Sequence, residues 1–253
     1  MKRLILFLFS FSCGAAQVQF VTESLPPYQV VDENRQLVGG TSFTVIKELI
    51  QRSEIDATID VMPWARALKT TLDTPNTFIF SIARSSVREH KFDWVIPLRH
   101  LTYHFYGLHH LSKDKFSHID DVKALKVAAV RGSIEAEFLA RLGFKEGDNL
   151  ILTNSYAASW QLVAIGRADA VYGEENVVHC LSRNIGFDAS PFHTIFSTDH
   201  DLDLYVAANK STDPKVIENL KMHYQAMVAE GRVAAIVKSQ EAWIFNRPAR
   251  VAP

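Results

Sequence analysis

Two stretches of this 253-residue chain carry the same order of signals: a strand, a capped helix, a second strand and a second helix. The first lies near residues 17–70 and the second near 126–180. QVQFV (17–21) is a β run, and SFTVIKELIQR places Phe43, Ile46, Leu49 and Ile50 at helical spacing behind Gly39-Gly40 and a Thr41/Ser42 cap. ATIDV and PWARALKTTL follow, the latter opening on Pro63. In the second stretch KVAAV is a strand and SIEAEFLARLG a helix capped by Ser133 and closed by Gly143. LILTN, SYAASWQLVAIG and ADAVYG repeat the alternation. Repeated β-α-β with apolar strands predicts an α/β fold with largely parallel sheets. Two similar units side by side leave a cleft between strand carboxyl ends and helix N-termini, where open α/β sheets bind ligands.

The remaining segments fit this frame. FIFSIA, LTYHFYGL and DLYVAA read as strands, HIDDVKAL as a helical turn and NVVHCLSRNIG as a capped helix. A long helix opens at Thr212-Asp213-Pro214, with a cap followed by proline at the first helical position, and keeps Val216/Ile217, Leu220, Tyr224 and Met227 on one face. A last helix runs through VAAIVKSQEAW after Gly231. There is no low-complexity linker, so two lobes would be joined by strands rather than by a tether.

Residues 1–16 follow a different logic. Lys2 and Arg3 precede the apolar run Leu4 to Phe11 and the small residues Gly14-Ala15-Ala16, the pattern of an export signal cleaved after Ala16. Ser10-Phe11-Ser12 is a poor lead-in to a lipid-bearing Cys13, so anchoring there is not expected. Cleavage takes Lys plus Arg from 27 to 25 against 28 acidic residues. A mildly acidic chain lacks the basic excess that general nucleic-acid or anionic-membrane binding needs. Cleavage also leaves Cys180 as the one cysteine, hence no internal disulfide, and its place beside Val177 and Leu181 marks it as a small buried hydrophobe. The expected location is the periplasm, as a monomer held by core packing. His109-His110 and the scattered histidines lack metal-ligand spacing, and there is neither a nucleophile elbow nor a phosphate loop. No metal and no cofactor are expected.

The stretches TESLPPYQVVDENRQLVGGTSFTVIKEL, PWARAL, SSVREHKFDW, KVAAVRGS and GRADAVYGEEN, in that order, resemble family 3 of the periplasmic solute-binding proteins, the polar amino-acid receptors of ABC importers. The resemblance covers nearly the whole chain after residue 16 and implies a type II periplasmic-binding-protein fold. In that fold two α/β lobes are joined by two crossover strands, with the ligand cleft between them. Lobe 1 would comprise 17–101 and 201–253, and lobe 2 102–200. It also implies that Arg88, in Ser85-Ser86-Val87-Arg88, clamps the ligand's carboxylate, with Ser85 at the hydroxyl position. A planar guanidinium fork suits a carboxylate as an ammonium does not. Arg84 is a second candidate, its other reading being a surface pair with Glu89. Arg131-Gly132-Ser133 would give the second carboxylate contact at a helix N-terminus. Glu174 would take the ligand's ammonium, its plainer reading being a solvated loop carboxylate. Tyr28 and Trp64 are candidate aromatic walls, Trp64 serving equally well as core, and Glu23 is a further cleft acid. The chain departs from the family at Leu25, where a stacking ring is usual, and at Ala83, where a hydroxyl is usual.

The expected function is therefore a non-enzymatic, exported receptor that closes on a small charged metabolite, an amino acid or close relative, and delivers it to an ABC permease. The alternatives are a periplasmic enzyme on the same scaffold, like the cyclohexadienyl dehydratases, and a ligand-sensing module for a membrane receptor.

Overall fold

A computed structural model describes residues 17–174, 176–177, 180 and 192–246. The segment read as an export signal, with Cys13, and most of the predicted helix at 176–186 lie outside the described residues. β1 (Val18–Thr22) leads through a short hairpin of β2 (Val30–Val31) and β3 (Leu37–Gly39) to α1 (Thr41–Ser53). β4 (Ala57–Val61), α2 (Trp64–Asp73) and β5 (Thr77–Ala83) complete the first unit. The long strand β6 (Asp93–Leu108) passes to the second unit, where α3 (Ile119–Val122), β7 (Val127–Val130), α4 (Ile134–Arg141), β8 (Leu150–Thr153), α5 (Tyr156–Ala164) and β9 (Ala170–Glu174) follow. The long strand β10 (Phe192–Ala208) returns, and α6 (Pro214–Ala229) and α7 (Arg232–Asn246) pack beside α1.

One eight-stranded sheet runs through the molecule in the order β4-β1-β5-β10-β6-β9-β7-β8. The repeat seen in the sequence appears in its two ends: β4 and β5 flank β1 in parallel, as β8 and β9 flank β7. The centre is antiparallel, because β6 and β10 pair with each other along almost their whole length and join β9 and β5 in the same sense. The expectation of largely parallel sheets therefore holds only at the two ends. These crossover strands are also far longer than LTYHFYGL and DLYVAA suggested. Pro97 and the exposed charges of HDLD interrupt the apolar pattern without interrupting the ladder. Proline is tolerated at 97 because there β6 has only β10 beside it, β9 joining from Tyr103 onward.

Each half has its own core. Phe20, Ile46, Leu49, Phe78, Phe80, Leu220 and Met227 pack on one side, and Phe105, Val127, Leu139, Trp160 and Val163 on the other. Burying a side chain of this kind is worth roughly 1.5–3 kcal/mol. Cys180 is fully buried against Val30 and Ile244, as its sequence context predicted, and His109 and His110 are exposed.

Candidate ligand-binding cleft

The first wall is set by the turn after β1. Leu25 and Gln29 close it through backbone bonds of 3.1 and 2.9 Å, and the carbonyls of Pro27 and Tyr28 then accept the first free N–H groups of α1, from Thr41 and Phe43. The cap expected from Thr41/Ser42 is thus replaced by loop carbonyls, with Gly40 at the N-cap and no side-chain bond there. Gly40 has φ 115°, and a Cβ on it would lie 2.4 Å from the Tyr28 carbonyl oxygen. Only glycine lets the helix come this close. The turn fixes Tyr28, whose hydroxyl donates to Glu174 Oε2 at 3.0 Å across the crossover strands. Glu174 also accepts from Asn176 at 2.6 Å and is buried, which raises its carboxyl above the ordinary range. Its solvated-loop reading does not hold.

The second wall is the segment after β5. Arg88 is 2% exposed, and its guanidinium is almost fully engaged. Nε and Nη2 both donate to Glu137 Oε1 at 2.9 and 2.8 Å, Nη2 also to the Gly132 carbonyl at 3.0 Å, and Nη1 to the Ala83 carbonyl at 3.3 Å. It lies 5.6 Å from the Trp64 ring, and Trp64 Nε1 donates to the same Gly132 carbonyl at 2.8 Å. Gly132 reaches this position through φ 73° and offers its carbonyl to the guanidinium. Ser133 caps α4 by accepting from Ala136 N–H. The Ser85 carbonyl accepts from Arg88 N–H, while its buried hydroxyl meets no partner among the described residues.

Two of the predicted residues stand elsewhere. Arg84 forms a bidentate pair with Glu89 at 2.6 and 2.9 Å and lies 5.4 Å from both the Trp94 and Tyr205 rings on the outer face. Arg131 pairs with Glu146 at 2.6 Å and is half exposed. Neither points at Arg88; the surface pair is the better reading of Arg84, and at 131–133 the side chain that turns inward is that of Ser133.

Between the walls lies a cavity of about 10 Å³, close to the minimum that holds one water. Glu23, Trp64, Arg88, Ser133, Tyr103 and Tyr156 line it, together with Leu25 and Ala83, the two positions at which the chain departs from the family. Ser81 also lines it, held in the left-handed region at φ 60°, and it accepts a hydrogen bond from Gln29. A non-glycine residue there is uncommon, and such strain concentrates at functional sites. Among the described residues neither the Glu23 carboxyl nor the Tyr103 hydroxyl meets a hydrogen-bond partner, although the two residues are only 5% and 3% exposed. Burial pushes Glu23 well above the ordinary carboxylate range, Glu135 pushes the same way, and Arg88 opposes both. Glu135 is itself buried and raised for that reason. It accepts from the Tyr156 hydroxyl at 3.0 and 3.1 Å, and the Ser133 hydroxyl and its own backbone N–H favour its charged form.

Sequence reasoning missed Tyr103, Tyr156, Glu135 and Glu137. The two acids sit in the first turn of a helix, where acidic residues are ordinary dipole partners and so give no signal of their own. The tyrosines read as strand and helix members.

The cleft lies where the crossover strands join two parallel units, and the same arrangement recurs among solved structures. A histidine kinase sensor domain described as similar to periplasmic binding proteins superposes with TM-score 0.77 at 16% identity, covering 89% of this chain and 96% of that one. The fold is that of the type II periplasmic binding proteins. An amino acid ABC transporter substrate-binding protein from Streptococcus pneumoniae, bound to L-arginine, gives 0.75 at 15% identity, over 91% of this chain and 97% of the other. An ancestral arginine-binding protein bound to arginine gives 0.75 at 16%, over 89% and 98%. No family model and no curated protein matches the chain. Among the described residues no helix is long and apolar enough to cross a membrane, and no cluster of potential metal ligands forms.

Proposed function

We propose that this protein is an exported solute receptor whose two lobes, 17–101 with 201–253 and 102–200, close on a small charged metabolite, an amino acid or close relative. Delivery to an ABC permease is the most economical use of such a receptor. The observation that carries the reading is the buried cavity between the two units, lined by Glu23, Arg88 and Trp64 and crossed by the Arg88–Glu137 and Trp64–Gly132 contacts. Ionisable groups are costly to bury unless they serve a partner or a ligand, and among the described residues the Glu23 carboxyl meets no hydrogen-bond partner. Two of the neighbours named above are bound to arginine, which supports an amino-acid-like ligand.

The test is the melting temperature of the purified protein against a panel of amino acids, amines and organic acids. A ligand at a hundredfold excess over Kd should stabilise the native state by about 2.7 kcal/mol. Glu23→Gln should weaken the response. If no member of the panel raises the melting temperature, the receptor reading fails. A second reading has support of its own: the sensor-domain neighbour, with TM-score 0.77, fits a module that reports ligand to a membrane receptor. Co-purification with a permease rather than with a sensor protein separates these uses of one cleft.

A further inference from the structure

In a receptor for an α-amino acid the groups that grip the carboxylate must be open to it, and in this chain the protein's own acids occupy both. Glu137 Oε1 takes Nε and Nη2 of Arg88 together, and Nη2 gives its other N–H to Gly132. A bidentate grip needs two adjacent N–H groups. Nε–Nη2 is taken, and Nη1–Nη2 lacks its Nη2 half. At the start of α4 the position is the same, for Glu135 sits there against its own N–H and the hydroxyls of Ser133 and Tyr156. Among the described residues the cavity leaves two polar groups without a hydrogen-bond partner. The Glu23 carboxyl and the Tyr103 hydroxyl face it, both residues more than nine-tenths buried and both able to accept. Three acidic side chains, Glu23, Glu135 and Glu137, stand beside one guanidinium, and the remaining room, lined by Trp64 and Tyr156 among others, is the size of an ammonium head.

We propose that the ligand is a small organic cation without a carboxylate, a primary amine whose N–H groups are taken by Glu23 and Tyr103 while Arg88 stays bound to Glu137. This rests on the receptor reading above and narrows its ligand class. The lobes must separate to admit the body of such a molecule, and the ammonium head would occupy the residual cavity when they close.

A matched pair of probes tests it: agmatine and arginine, which differ only by the carboxylate, with glutamate as the anionic control, by calorimetry on the purified protein. Agmatine should bind more tightly than arginine by at least about tenfold, the scale of one charge-assisted hydrogen bond. Tyr103→Phe and Glu23→Gln should each weaken agmatine by a comparable factor. Glu137→Ala, which frees the fork of Arg88, should narrow or reverse the preference. Arginine or glutamate binding in preference to agmatine would overturn the amine assignment and leave the receptor reading standing. Equal agmatine affinity in wild type, Tyr103→Phe and Glu23→Gln would also overturn it. If neither these probes nor the wider panel bind, both readings fall together.

Discussion

At the scale of single residues the cleft is marked by groups that a stability-driven design would remove. Glu23 is the clearest. Its carboxyl is held well above the usual 4.5 by burial first and by Glu135 second, against the opposing pull of Arg88. The folded chain therefore keeps a proton that the unfolded chain has released, across the window from 4.5 up to the raised folded value. Stability linked to this group is fully present below 4.5 and is lost as pH rises through that window. Glu23→Gln, which preserves the shape and the neutral state, should melt a few degrees above wild type at pH 8. It should match wild type near pH 4.5. A gain equal at both values would show that Glu23 carries no such proton. The same substitution should cost ligand affinity, so stability and binding move in opposite directions at one side chain.

At the scale of elements, what positions the cleft is the close approach of chain segments. The turn carrying Tyr28 reaches the start of α1 only because Gly40 lacks a side chain. Gly40→Ala should therefore cost more than the roughly 1–2 kcal/mol of left-handed backbone alone, since its Cβ would also meet the Tyr28 carbonyl at 2.4 Å. Gly143→Ala, at φ 95° with open space around it, should cost only the backbone part. Denaturant unfolding of both variants measures the difference, and equal losses would refute the packing role of Gly40. The elements themselves were legible where pattern and function coincide. Helices α1, α2, α4, α5, α6 and α7 carry caps or apolar faces that survive in the sequence, and Asp213 with Pro214 opens α6 as expected. The crossover strands were legible only in part. A strand of 16 or 17 residues that serves both halves thins its apolar content between them: Pro97 is exposed, and from Ser197 to Asp203 exposed and half-buried residues alternate with none fully buried.

At the scale of the molecule, side-chain hydrogen bonds tie the halves across the crossover: Arg88 to Glu137 and to Gly132, Trp64 to Gly132 and Tyr28 to Glu174. Arg88, Trp64, Tyr28 and Glu174 were identifiable from sequence because the motifs around them are local. Glu137 was not, since its role depends on a partner 49 residues away. That also explains the one functional inversion: Arg88 is legible as a clamp, but the carboxylate it holds belongs to the protein. The central claim, that ligand enters between these halves, is tested most directly by the emission of Trp64, which lines the cavity and bonds across it. A ligand that raises the melting temperature should change the tryptophan fluorescence of the wild-type protein, and Trp64→Phe should remove that change while the thermal response persists. A stabilising ligand that leaves wild-type emission untouched at saturation would place the site elsewhere and contradict the account.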